Sequence, residues 1–178
     1  MNKSIFKYAL LLVAICAISG LLLAGVNMIT APIIGSRNQI NEKLEQYYPY
    51  AYYKQADDGS NEVAENAIQA YYYAFDENKN LAAVIYQTSF LGFKSQIVAL
   101  ISIKVDGTVE NAKMIGGKDD YSLSDHDFEI AGESVDSYDY TPKSGATKTS
   151  GGVGAGIDAA INHFKSIKDS LGGVSYEG

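Results

Sequence analysis

Residues 95–115 read SQIVALISIKVDGTVENAKMI. The first eleven are rich in β-branched and apolar side chains, Asp106-Gly107 is a hairpin dipeptide, and the apolar positions of 108–115 alternate as a half-buried strand requires. This is a strand, a tight turn and a return strand. Working upstream, AIQAYYYAF (67–75) and LAAVIYQTSF (81–90) carry the same β-branched and aromatic bias, set apart by polar turns. Neighbouring strands joined by short turns pair antiparallel, so the sheet is predicted to be mostly antiparallel. Residues 57–66, DDGSNEVAEN, read as a surface loop.

Downstream of the hairpin the pattern dissolves between Gly116 and Pro142. Acids at 119, 120, 125, 127, 129, 133, 136 and 139 surround His126. The spacing does not fit a calcium loop and no second histidine lies nearby, so a solvated acidic loop is expected and no metal is assigned. Beyond it, Val153, Ile157, Ile161, Phe164, Ile167 and Leu171 recur every three or four residues, which predicts an amphipathic helix laid on the sheet. The head is therefore α+β.

With 178 residues and 47% hydrophobic content, the chain is long enough for one domain with a real core. Its net charge of -7 makes a nucleic-acid partner a poor expectation. Cys16 is the single cysteine, so neither a disulfide framework nor a thiolate metal cage can be built. From Tyr8 to Ile29 the sequence carries no charge, and as a helix it would be roughly 33 Å long, enough to span a bilayer. A cleaved signal peptide competes poorly, because the run is long and no small-x-small cut site follows. Lys3 and Lys7 crowd its short N-terminal side, whereas 12 of the 14 cations and all 21 acids lie beyond it. The expectation is a single-pass cell-membrane protein, N-terminus cytoplasmic, with an acidic extracytoplasmic head.

The expected layout is a cytoplasmic tip and transmembrane anchor at 1–31, a stalk helix and linker at 32–56, and a head domain at 57–178. The stalk shows Ile33, Ile40, Leu44 and Tyr48 at near-helical spacing before Pro49 stops the pattern. Tyrosines at 47, 48, 50, 52 and 53 suit a membrane interface or a partner, or else ordinary domain packing.

The sequence SGATKTS (144–150) stands at the predicted mouth of the amphipathic helix. Thr149 or Ser150 is the expected N-cap. Helix N-termini offer unpaired N–H groups and positive potential, which suits a phosphate, and glycines at 145, 151 and 152 allow close backbone approach. A phosphate site and a plain glycine-rich helix start remain open on these grounds. The stretch is neither a Walker loop nor a dinucleotide fingerprint, and Ser144 has no nucleophile-elbow frame with His126 or His163 tied to it.

The same seven residues resemble the flavinylation motif of FMN-binding domains in the G subunit of Rnf-type electron-transport complexes and the C subunit of sodium-pumping NADH:quinone reductases. VNMITAPII (26–34) is similar to the family's anchor, and GFKSQIVALISIKVDGTVENAKMI (92–115) to the strand–turn–strand before its flavin loop. The resemblance implies that Thr147 carries FMN covalently as a phosphothreonyl ester. It implies that Ser144, Gly145, Ala146, Lys148 and Thr149 form the surrounding cofactor site, with Thr149 the alternative hydroxyl. It further implies a membrane-anchored redox subunit of an ion-translocating oxidoreductase, in which ferredoxin/NAD electron transfer drives an ion, with other membrane subunits and a flavin transferase as partners. Two departures are visible. Thr141 stands where the family often has aspartate, and GGKDDYSL (116–123) replaces a loop that contributes near the flavin ring. A stand-alone exported flavoprotein reductase or extracellular electron-transfer protein, and a non-redox scaffold, are the alternatives.

Overall fold

The computed structural model describes residues 3–56, 67–117 and 128–176, with side chains of the first helix described at 7–8, 11–13, 15–26 and from residue 40 onward. The loop read at 57–66, and the acids at 119, 120, 125 and 127 with His126, lie outside the described residues. The chain divides into two compact units, Met1–Leu44 and Glu45–Gly178.

The first unit lies within α1, Lys3–Tyr47. Its described apolar side chains between Tyr8 and Val26 are solvent-exposed, and so is Cys16. Among the described residues no helix is long and apolar enough to cross a membrane. That finding corrects the expected transmembrane anchor, and with it the single-pass membrane placement and the cytoplasmic and extracytoplasmic sidedness built on it.

The second unit holds a five-stranded antiparallel meander in the order β1-β2-β3-β4-β5. The strands are β1 Tyr52–Gln55, β2 Ile68–Phe75, β3 Leu81–Leu91, β4 Gln96–Lys104 and β5 Val109–Gly116. Four of them follow the stretches read from the sequence; β1 falls where a linker was expected. It pairs through Tyr52↔Phe75 and Gln55↔Tyr72.

Turn chemistry closes two of the hairpins. Asp76 accepts the Asn78 and Asn80 N–H groups at 2.9 and 2.8 Å, and these bonds hold its carboxyl below the usual carboxylate range. Asp106 accepts the Thr108 N–H at 2.8 Å. Gly107 beside it sits at φ +92°, a left-handed conformation that disfavours any side chain.

Consecutive residues Ala83, Val84, Ile85 and Tyr86 are all fully buried, so both faces of the central strand are covered. Helix α2, Thr147–Ile167, covers one face with Val153, Ile157, Ile161 and Phe164, in one cluster with Tyr71, Val84, Tyr86, Ile97, Ile101 and Ile103. Each such side chain fully buried is worth ~1.5–3 kcal/mol. A short 3-10 helix, Lys168–Gly173, continues the stripe with Leu171. The tyrosine-rich segment is domain packing: Tyr48 is buried, Tyr50 donates to Glu110 at 2.9 Å, Tyr53 to the Tyr48 carbonyl at 2.8 Å, and Tyr52 stacks on Tyr176.

Candidate functional site

The β3–β4 hairpin and the N-terminus of α2 meet at one end of the sheet. Contact between them is close because α2 carries glycine where it crosses β3. A Cβ added to Gly152 would lie 2.2 Å from the Phe90 ring, and one added to Gly156 would lie 2.8 Å from the Thr88 hydroxyl. Gly152 therefore serves helix-on-strand packing. Gly151 faces open space, and Gly145 is left-handed at φ +84°.

The helix begins three or four residues earlier than expected from capping preference. Its N-cap is Ala146, with no side-chain cap hydrogen bond, so neither Thr149 nor Ser150 caps it. Ser150 cannot, because its hydroxyl is engaged inside the first turn: it accepts the Lys143 N–H at 2.8 Å and donates to the Ala146 carbonyl at 3.0 Å. Thr147 is the first helical residue and is exposed, Lys148 is exposed, and Thr149 is buried. Ser144 and Gly145 are exposed in the preceding turn, while Ala146 is buried. Thr141 is exposed as well.

No acidic residue occupies the first turn of α2. The positive end of the macrodipole therefore meets no carboxylate from the helix's own first turn. The Lys148 ammonium adds a cation 6.0 Å from the centre of the Phe93 ring at the hairpin tip. Leu91 and Phe93 there are both largely exposed. A phosphoester on Thr147 fits this donor set.

Two further side chains shape the loop, and neither was expected from the sequence. Tyr140 donates to the Ser150 carbonyl at 2.7 Å, and its ring lies over Gly154, where an added Cβ would come within 2.5 Å of it. Tyr138 donates to Asp158 on the same helix. Burial lifts the Tyr140 phenol to about 12, and burial with the Asp158 carboxylate lifts Tyr138 to about 12.

Among the described residues Ser144 has no histidine partner. His163 lies near the far end of α2, within hydrogen-bonding distance of the Tyr86 hydroxyl at 3.2 Å. Among the described residues no group of His, Cys, Asp or Glu is arranged to hold a metal ion. The segment 118–123, part of the loop that departs from the resembled family, lies outside the described residues.

A search among curated proteins found no match to the chain. Residues 1–46 match the family model described as the RnfG N-terminal region. That match spans 46 of the 178 residues and supports reading the chain as an RnfG-type subunit.

Proposed function

We propose that Thr147 carries FMN through a phosphoester, and that the chain is the flavin-bearing electron-transfer subunit of its complex, serving ferredoxin/NAD electron transfer coupled to ion translocation. The observation that carries this reading is the state of Thr147: an exposed hydroxyl at the first position of a helix whose N-terminus has neither a side-chain cap nor an acid. Thr149 is a poorer acceptor because it is buried. In this reading the exposed Ser144-Gly145 turn gives a flavin transferase access, Ala146 seats the turn, and Lys148 balances the charge of the phosphodiester. Bound FMN supplies one- and two-electron chemistry. The protein's share is tethering and orientation. In this reading the flavin passes electrons between fixed partners and does not act on a soluble substrate; among the described residues no acid–base pair stands beside Thr147.

The test is flavin fluorescence in a denaturing gel, using full-length chain made together with a flavin transferase. Wild type should fluoresce and Thr147→Ala should not. Persistence of the label in Thr147→Ala, mapped by peptide mass to Thr149, would overturn the assignment.

A further inference from the structure

We infer that Ser150 and Tyr140 are positioning residues for the acceptor threonine, clamping the loop before α2 so that Thr147 is presented as the helix's first residue. The inference rests on Thr147 being the attachment site and adds the device that presents it.

A helix start is usually fixed by a side-chain cap, and here there is none. The start is fixed from within. Ser150 is fully buried and all its polar groups are engaged. Its N–H donates to the Ala146 carbonyl at 2.9 Å and its hydroxyl donates to the same oxygen at 3.0 Å. That hydroxyl also accepts the Lys143 N–H at 2.8 Å, so one side chain ties both ends of the Lys143–Ala146 turn, itself closed by the Ala146 N–H to Lys143 carbonyl bond at 3.1 Å. Tyr140 fastens the loop upstream by donating to the Ser150 carbonyl. Gly154 is what admits it, since any side chain there would meet the tyrosine ring.

The Tyr140 and Lys143 bonds reach Ser150 from the N-terminal side of Ser144 and Gly145, and the bonds to the Ala146 carbonyl hold it from the C-terminal side. None of these bonds involves the Thr147 side chain. Removing one therefore leaves the acceptor hydroxyl intact but loosens the geometry in which it meets an incoming group, and group transfer is sensitive to such misplacement.

The test follows covalent FMN incorporation into the full chain with transferase limiting, alongside thermal melting. Tyr140→Phe, which loses one hydrogen bond, should slow incorporation about tenfold, and Ser150→Ala, which loses two, at least as much. Ile157→Val, a core change of comparable stability cost away from the loop, should incorporate at the wild-type rate. Wild-type rates in both loop variants, or equal slowing in Ile157→Val, would overturn the inference. If Ser150→Ala does not fold, Tyr140→Phe decides, because it keeps the ring on Gly154 and loses only the hydroxyl. Absence of covalent flavin from wild type, or its retention in Thr147→Ala, would show instead that the attachment reading had failed, and the inference would fall with it.

Discussion

Two threonines in SGATKTS are chemically equal in the sequence and unequal in the fold. Thr147 opens α2 with its side chain in solvent, whereas Thr149, one position past Lys148, turns into the core at 2% exposure. Burial acts on the tyrosines beside them too. The phenols of Tyr138 and Tyr140 stand at about 12 in the fold against an ordinary value near 10. A group whose folded value is raised adds stability that is complete below its unfolded value and is lost as pH climbs through the folded one. Stability should therefore fall between about pH 10 and pH 12, read as a falling urea midpoint, and Tyr140→Phe and Tyr138→Phe should each make that fall shallower. An unchanged slope in both variants would mean that neither phenol is held protonated by the fold. Ser150 is the residue whose role was least legible. Capping statistics favour a serine ahead of an amphipathic run, but its hydroxyl is claimed by Lys143, seven positions back, a pairing that exists only once the loop has closed.

At the scale of elements, β2 to β5 were legible because a half-buried strand must alternate or run β-branched, and the Asp106-Gly107 turn announces its own hairpin. β1 was not, since four residues, all intermediate in burial, carry no period. The stripe of α2 was legible for the same physical reason as the strands, while the packing role of Gly152 and Gly156 was not. In a sequence, glycine beside a possible phosphate site suggests access for a ligand. In the fold, Gly152 and Gly156 sit one turn apart on the face that meets Phe90 and Thr88. Alanine at position 156 would gain about 1 kcal/mol of helix propensity over glycine. The same methyl would press on a fully buried threonine whose hydroxyl bonds the Ala99 carbonyl at 3.5 Å, and overpacking of that kind costs typically 1–3 kcal/mol. Gly156→Ala should accordingly lower the urea midpoint, while Gly151→Ala, facing open space, should raise or preserve it. Stabilisation by Gly156→Ala would show that the helix can lift off β3 at little cost.

At the scale of the whole molecule, the two units differ in what they leave to solvent. Glu45–Gly178 buries a continuous core between α2 and the sheet, and its antiparallel neighbours make it rich in hydrogen bonds of its own. Met1–Leu44 exposes leucines at 11, 12, 21, 22 and 23, with Ile15, Ile18 and Val26 beside them, each more than half accessible. Apolar surface of that extent on a lone chain drives association, and a subunit of a larger complex has other subunits to cover it. The consequence is testable by removing most of the first unit. A chain beginning at Ile40, which keeps the fully buried Leu44, should unfold in one cooperative transition, with a Tm within about 3 °C of the corresponding transition in the full chain, less than 1 kcal/mol would shift a domain of this size. In sedimentation velocity it should run as a monomer, while the full chain alone in buffer should associate. Changing Leu21, Leu22 and Leu23 together to serine in the full chain should reduce that association without moving the Tm of the Glu45–Gly178 transition, because those side chains belong to the other unit. A monodisperse full chain, or a drop in that Tm on the triple change, would mean that the apolar helix surface is satisfied within the chain itself.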